Sequence, residues 1–588
     1  MPAWQDSVSS ARNPQAAWDL RRMNFSKNAF DRVSLPLTCM TALLLSWQGM
    51  HVGLPQAEVV GLSFSDSQQF NTAKKAFLST REEVYAHYGV IAAHNPGILA
   101  HSFKTDLKKV MILDMPEGPQ EVPVEIIHKM RGRFLRSALP DEELLIYSLQ
   151  KIRPAKFQFN PHLFQYGSIY IYFAGFLLWL CAKIGLVILT QDISVYLNNP
   201  DYSAMIYAVP KYANSVIFAL SVWPLHRVCR RLFRPAVASV LALSYAVSPI
   251  FILETHSLKP YIFCLPALLM SLDSAFVIAS GDRRAYAAAG AWAGLATGSL
   301  WLCGYILIAI FAAHCIAPRR RTRDLAVLSA VFAAVFFLVN PYWLIAPREA
   351  FAELFLLQPV VAHAYSLKKW VGYLLYRGAA GLGWPLWLCF LAGLLTSLAS
   401  PDKRKYILLC PVLFYLTYTS GRHFGNVHYA TALFPLCLVV AGFAIEALWN
   451  VRSPWTHLRL ALVPVVICMT LLQSLYFVSL CRAPDPAYTA GAWINRHVPA
   501  HSFVAANSPG MFPPFRCLDY RPKIIDSISD VKSGDYYIRS GDLHDVLPNL
   551  GADFIPLASF QRKSVLGALF DAREVFWLNY KYEIFRKV

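Results

Sequence analysis

Charge is scarce in this sequence. Only 15% of its 588 residues are Asp, Glu, Lys or Arg, against roughly a quarter in a soluble domain. Hydrophobic residues make up 56%, and mean hydropathy is +0.39. A soluble chain of this length would divide into about four domains and need far more charged surface. Disorder and a coiled coil are excluded on the same grounds. The 12 cysteines never form a CxxC pair, and none falls between 55 and 167, which excludes a disulfide scaffold. Walker A, HExxH and GxSxG patterns are also missing, so ATP-driven transport and hydrolase chemistry have no support. No internal repeat or low-complexity tract appears. What remains is a mainly α-helical, polytopic membrane protein.

The charge that is present is patterned. Lys plus Arg is 54 and Asp plus Glu is 36, but the excess gathers in knots between apolar runs rather than in a nucleic-acid-binding face. The knots are Arg227, Arg230, Arg231 and Arg234; Arg283 and Arg284; Arg319, Arg320, Arg321 and Arg323; Lys403, Arg404 and Lys405; and Arg452 with Arg459. The positive-inside bias makes all of them cytoplasmic. Each interval between knots must then hold an even number of spans. Apolar pairs satisfy this at 235–254 with 259–280, 324–342 with 380–399, and 405–420 with 428–449, and 460–481 crosses outward last. Between the N-terminus and the first knot, however, three runs compete for two spans: 36–53, 168–190 and 204–226. The expectation is that 168–190 lies in the interface or re-enters, in a bundle of about 11 to 13 spans. Residues 1–33 read as a cytoplasmic segment with a signal anchor after it. Residues 34–481 read as the membrane domain. Within it, loop 54–167 is external and long, with 13 Lys/Arg and 12 Asp/Glu. Residues 482–588 read as a small external α/β domain.

Several constellations near the outer ends of these spans carry chemistry. Asp141, Glu142 and Glu143 follow Pro140 and precede a helical run. They read either as an acidic first turn suited to the helix dipole or as a general base at the membrane surface. Glu254-Thr255-His256-Ser257-Leu258-Lys259 joins two spans, where ionisable groups are costly unless exposed or used. Arg422 and His423 lie in a short external loop, against the positive-inside bias, so an anionic partner such as a phosphate would explain them. Segment 343–379 adds Arg348, His363, Lys368, Lys369 and Arg377 with Trp370, Tyr373 and Tyr376, and reads as an amphipathic interfacial stretch. Lys183 and Lys211 are the obvious mid-span cations. A transporter or flippase, the rival reading, would need more such groups and an inverted repeat.

Pro140-Asp141-Glu142 followed by Asn160-Pro161-His162-Leu163-Phe164-Gln165-Tyr166-Gly167 resembles the "DE … NPxxFxYG" pattern of bacterial GT-C membrane glycosyltransferases. These form the broad group of protein O-mannosyltransferases and aminoarabinose transferases. Ser248-Pro249, Asn340-Pro341, Arg422 to Pro435, and Trp493 within Ala487–Arg496 echo the same group over roughly residues 30–500. The resemblance implies a polyprenyl-phosphate-linked sugar as donor and inverting transfer to a lipid, polysaccharide or protein acceptor. It implies no required cofactor or metal, and a site facing the periplasm of a bacterial inner membrane. It implies Asp141 as catalytic base, with Glu142 assisting or orienting. Glu254, His256, Lys259, Arg422, His423 and Tyr166 would lie about the donor phosphate and substrate. Two features depart from the pattern. Residues 54–135 form a longer insertion, and Lys259-Pro260-Tyr261 stands where many relatives carry an acid, a role that would fall to Glu254.

Overall fold

The structure is a computed structural model that describes residues 33–94, 110–115, 118–318, 320–353, 371–372, 377–420, 427–450, 456–541, 550–570, 578 and 580–588. It is mainly helical, as expected. Helix α1 covers Val33–Trp47. Then come α2 (Glu58–Ser63), α3 (Ser67–His94), the antiparallel hairpin β1 (Val110–Met115) and β2 (Gly118–Pro123), α4 (Val124–Leu135), α5 (Pro140–Lys151), α6 (Ser168–Lys183) and α7 (Ile193–Asn198). The bundle continues through α8 (Pro200–Leu232), α9 (Pro235–Ala246), α10 (Pro249–Thr255), α11 (Leu265–Ala279), α12 (Ala285–Ser299), α13 (Ile306–Ile316) and α14 (Thr322–Val339). It closes with α15 (Trp384–Ala399), α16 (Tyr406–Ser420), α17 (Phe434–Asn450) and α18 (Thr456–Arg482).

Among the described residues, three helical stretches are long and apolar enough to cross a membrane, Pro200–Leu232, Thr322–Val339 and Ala461–His497. The bent pair α9 and α10 makes a fourth if it counts as one span. The main core lies among α8 to α17, around Phe218, Tyr245, Phe251, Trp387, Phe390 and Phe434. Close helix approach needs small residues, because apolar side chains gain nothing by leaving lipid. Gly290, Gly294 and Gly298 supply that surface on α12. A Cβ on Gly290 or Gly294 would come within 2.6–2.7 Å of the Leu328 and Phe332 carbonyl oxygens of α14.

Among the described residues, the first four basic knots lie at one end of this bundle; Arg452 falls outside those residues. Arg227 and Arg231 both pair with Asp273 in the second half of α11. Arg283 binds Asp324 at 2.6 Å, Arg234 binds Glu446 at 2.8 Å, and Arg404 donates to the Arg231 carbonyl at 3.1 Å. Lys211 lies 20 residues before Arg231 on the same helix. At about 1.5 Å per residue that is roughly 30 Å, the thickness of a hydrocarbon core.

Helix α6 does not run toward the knots. Tyr170, near its start, receives a hydrogen bond from Asn214 at 3.1 Å, and its Ile171 and Ala174 share a core with Ala204, Tyr207 and Ala208 of α8. It lies beside the first half of α8. Helix α1, in contrast, packs Leu35, Cys39 and Leu43 on the main core, and Gln48 just beyond it reaches the Glu254–Lys259 turn.

Away from the knots, a second core joins segments far apart in sequence. Phe64, Phe77, Val122, Ile127 and Phe134 pack with Ile494, Val504, Phe515 and Ile538. The last four belong to helix α19 (Pro486–His497) and to a five-stranded sheet with a turn beside it. That sheet comprises β3 (Phe503–Ala506), β4 (Arg521–Ile524), β5 (Tyr536–Gly541), β6 (Phe554–Gln561) and β7 (Lys581–Lys587), in the order β4-β3-β5-β7-β6. Its β3–β4 and β3–β5 pairs are parallel, and β7 is antiparallel to both neighbours. Gln69 donates to Asp519 at 2.6 Å and Asn495 to the Leu62 carbonyl at 2.8 Å. The sequence divides loop and tail into separate parts, and the packing gives them a common core.

Candidate active site

Helix α5 starts with Pro140, whose missing N–H costs nothing in a first turn. Leu139 at the cap gives no side-chain hydrogen bond, so Asp141, Glu142 and Glu143 supply the negative charge that a helix N-terminus favours. The three point to different partners. Asp141 is about half exposed, and its Oδ2 lies 2.7 Å from the Nζ of the nearly buried Lys259. Glu142 is fully buried. Its Oε1 lies 2.9 Å from Nζ of Lys211, also fully buried, and accepts the Leu258 N–H at 2.9 Å. Glu143 pairs with Arg136 at 2.9 Å.

The turn after α10 is held from several sides. Asn214 donates to the carbonyls of Ser257 at 3.1 Å and Lys259 at 3.5 Å. Ser257 donates to Glu254 Oε2 at 3.3 Å. His256 sets Nδ1 2.8 Å from the Ile252 carbonyl and Nε2 2.7 Å from the Gln48 carbonyl. Both of its ring nitrogens are thus engaged by backbone, and it pins the turn to the end of α1 instead of facing a ligand. Lys259 is left as the cation that this turn presents to Asp141. Burial alone would lower the Lys259 pKa, but the carboxylates of Asp141 and Glu254 outweigh it and hold the ammonium above its ordinary range.

Aromatic groups close over this pair. Tyr166 is buried within electrostatic reach of Asp141, Tyr429 and Glu254, and burial pushes its phenol well up. Tyr261 lies 5.4 Å from His428 and 6.4 Å from Tyr429 between ring centroids. Burial, and then the Lys259 charge, hold His428 well below the usual histidine range, so its imidazole is neutral at pH 7. The structure therefore brings together Asp141, Glu142, Tyr166, Glu254, His256 and Lys259 of the expected residues. Arg422 and His423 lie outside the described residues, as does most of 354–376.

Sequence reasoning missed the groups that shape the site. Lys211 stood out only as a mid-span cation, and an ionisable group at that depth signals a partner. Asn214 and Tyr261 gave no such signal. Glu349 and Glu353 were also missed. Glu349 accepts from Asn160 Nδ2 at 3.0 Å and lies 2.5 Å from His162 Nδ1. Glu353 accepts the N–H groups of Phe164 and Gln165 at 3.0 Å. Together they fold the NPHLFQYG segment. At its end Gly167 stacks on α12, where a Cβ would fall 1.8 Å from the Gly298 carbonyl oxygen. Asn340 joins the same junction, donating to the Gly298 carbonyl and accepting the Ser168 N–H.

An apolar cavity of about 1730 Å³ opens on the other flank of α5. Ile146, Leu149, Phe176, Trp179 and Tyr207 line it, with Lys151 and Arg153 on its wall. Among the described residues, no three His, Cys, Asp or Glu side chains are grouped to hold a metal.

Residues 210–344 match the family model described as dolichyl-phosphate-mannose-protein mannosyltransferase. The matched segment holds Lys211, Asn214, Glu254, His256, Lys259 and Asn340. Asp141, Glu142 and Tyr166 precede it. Among solved structures the chain is similar to ArnT from Cupriavidus metallidurans bound to undecaprenyl phosphate. The identity is 12% and the TM-score 0.42, over 76% of this chain and 93% of that one. It is also similar to the apo oligosaccharyltransferase of Archaeoglobus fulgidus, at 12% identity and TM-score 0.40 over 65% of this chain. The chain spans 60% of the length of that oligosaccharyltransferase. A third similarity is to the S. cerevisiae protein O-mannosyltransferase Pmt1–Pmt2 complex bound to the sugar donor, at 13% identity and TM-score 0.24, over 41% of this chain and 38% of that one. No curated protein sequence matches the chain. The family match supports the resemblance to GT-C superfamily glycosyltransferases read from the sequence.

Proposed function

We propose that this protein is a membrane glycosyltransferase that moves a sugar from a polyprenyl-phosphate donor to an acceptor hydroxyl. The reaction takes place at the end of the bundle opposite the arginine knots. The observation that carries this reading is the half-exposed Asp141 carboxylate held 2.7 Å from the buried Lys259 ammonium, on a turn fixed by buried polar bonds. A base and a cation side by side are what an in-line displacement at an anomeric carbon needs. Asp141 takes the proton of the acceptor hydroxyl. The acceptor oxygen bonds to the anomeric carbon as the bond from that carbon to the phosphate oxygen breaks, with inversion. The polyprenyl phosphate leaves with the electron pair, and Lys259 stabilises its charge, joined by Arg422 and His423 from the neighbouring loop. Glu142 is buried too deeply to touch substrate and acts by orienting the turn. The apolar cavity beside α5 suits a lipid-borne substrate. The resemblance read from the sequence implies no required metal or cofactor.

In this reading residues 1–33 are cytoplasmic, 34–481 form the membrane domain, and loop 54–167 and tail 482–588 stand outside. The knots face the cytoplasm and the site faces the periplasm of a bacterial inner membrane. The acceptor is a lipid, a polysaccharide or a protein. The test is sugar transfer in proteoliposomes carrying polyprenyl-phosphate-linked sugars. Asp141→Asn should fold normally and lose about 10²–10⁴-fold in rate. An unchanged rate in that variant would reject Asp141 as the base.

A further inference from the structure

The cavity beside α5 offers far more room than a sugar needs. Its volume of about 1730 Å³ exceeds the roughly 300–1,000 Å³ of an ordinary small-molecule pocket. Phe176 and Trp179 of α6 line it and are at least half exposed. Leu78 of α3 and Leu135 at the end of α4 line it too, so the long insertion at 54–135 meets the bundle helices here. An apolar wall shared by a bundle helix and an external segment suits a lipid chain.

The charge of the cavity is one-sided. Lys151 and Arg153 line it, and no Asp or Glu does. The Lys151 ammonium sits 4.7 Å from the centroid of the Tyr147 ring. The Arg153 backbone is clamped to Gln158 by hydrogen bonds of 2.7 and 3.1 Å. Among the described residues, no carboxylate pairs with either cation. Asp192, next to the lining Gln191, caps α7 by accepting the Ser194 N–H at 2.9 Å. Glu349, just beyond the lining Ile345, is held by Asn160 and His162. Two cations at the edge of apolar room complement an anionic amphiphile.

The cavity also lies on the side of the base. Ile146 and Lys151 stand five and ten residues past Asp141 on α5, or about 7.5 and 15 Å along the axis at 1.5 Å per residue. No residue of the Glu254–Tyr261 turn or of 427–430 lines the cavity. In an inverting displacement the acceptor oxygen attacks opposite the leaving phosphate. A cavity that shares its helix with the base, and no residue with the Lys259 turn, belongs to the acceptor. We propose that this cavity holds the acceptor, and that the acceptor is an anionic glycolipid. Its chain packs on Phe176, Trp179, Leu78 and Leu135, and its oxyanion rests at Lys151 and Arg153. Its extended headgroup carries the reacting hydroxyl back along α5 to Asp141. This assignment rests on the transfer reading above and narrows its acceptor to a lipid.

Two measurements on the full chain test it. The first is photocrosslinking in detergent with phosphatidylglycerol or phosphatidylcholine carrying a diazirine at the end of one acyl chain. The anionic probe should label α6 peptides at least tenfold more than the neutral one. Lys151→Gln with Arg153→Gln should remove that preference, Lys151→Arg with Arg153→Lys should keep it, and Leu78→Trp should reduce labelling by both probes. Asp141→Asn should label as wild type does, which separates binding from catalysis. The second measurement supplies proteoliposomes with a radiolabelled polyprenyl-phosphate sugar and a bacterial lipid extract. Label should enter a solvent-extractable lipid other than the donor, and the Gln double variant should raise KM for the extract at least tenfold with kcat kept. The glycolipid is overturned by equal labelling with both probes, or by a Gln double variant that labels as wild type does. It is overturned equally by label recovered only in protein or polysaccharide. Displacement of the probe by undecaprenyl phosphate at a lower concentration than by phosphatidylglycerol would give the cavity to the donor instead. Transfer that survives Asp141→Asn beside intact anionic labelling would reject the base and leave the lipid site standing.

Discussion

Replacing Lys211 by Met tests whether a buried ion pair organises the site. Lys211 and Glu142 are both fully buried, with 2.9 Å between Nζ and Oε1. The second oxygen of Glu142 has no partner. Removing the ammonium leaves a carboxylate in a low-dielectric interior, supported by the Leu258 N–H alone. Breaking a buried pair in this way costs about 3–5 kcal/mol. Removing both charges should not. In Lys211→Met with Glu142→Gln, the volumes are nearly kept and the amide oxygen still accepts from Leu258, so stability should return to within about 1 kcal/mol of wild type. Lys211→Met with Glu142→Leu restores neutrality too but leaves the Leu258 N–H unbonded, at about 1–3 kcal/mol. It also frees the turn that aims Lys259 at Asp141. Thermal unfolding in detergent and sugar transfer in proteoliposomes, read as a double-mutant cycle, separate these effects. The Gln double variant should be stable and active. The Leu double variant should fold yet transfer at least about tenfold more slowly, which corresponds to roughly 1.4 kcal/mol at the transition state. If Lys211→Met alone matches wild type in stability, or if the two double variants have equal rates, the positioning argument fails.

Two further outcomes test the junction around the NPHLFQYG segment. Gly167→Ala drives a Cβ to 1.8 Å from the Gly298 carbonyl oxygen. Backbone cannot move aside as a side chain does, so the variant should lose more than about 3 kcal/mol and aggregate on extraction; a stable, active protein would contradict the packing of α6 on α12. Burial raises the Glu353 pKa to about 7, against the lowering effect of the Phe164 and Gln165 N–H groups. Its folded value lies above the unfolded one, so its contribution is complete below about pH 4.5 and is lost as pH rises through 7. Glu353→Gln should match wild type near pH 4.5 and exceed it by on the order of 2–3 kcal/mol at pH 8.5, measured as the difference between two unfolding-against-pH curves. Parallel curves would show that Glu353 does not titrate in this range.

The sequence made the helical class readable, and it marked the strings that the structure brings together around Lys259, because both rest on local signals. Apolar runs and arginine knots record the bilayer directly. The acidic first turn behind Pro140 and the Glu254–Lys259 turn are contiguous strings whose residue types are costly where they stand. Helix α19 and strands β4 and β5 carry local signals of the same kind, in Ala487–His497, Lys523–Ile525 and Asp535–Ile538. What stayed hidden depends on pairing at long range. Nothing near Phe164 announces that Glu353, 189 residues away, will satisfy its N–H, and nothing near Leu62 announces Asn495. Arg422 and His423 lie outside the described residues, so the phosphate role assigned to them rests on the sequence alone.

Lys259 shows how the two levels combine. Read as a string, Lys259-Pro260-Tyr261 departs from the pattern that the sequence otherwise resembles, because no acid stands there. In the structure the same residue is the one cation of its turn that reaches Asp141, while Glu254 stays buried behind it and bonded to Ser257. The acid is thus displaced from the front of the site to its support. A cation is tolerable where its neighbours hold carboxyl groups, and Asp141, Glu142 and Glu254 stand close to Lys211 and Lys259. With Glu142 and Lys211 spent on each other, Asp141 is the carboxylate left facing Lys259.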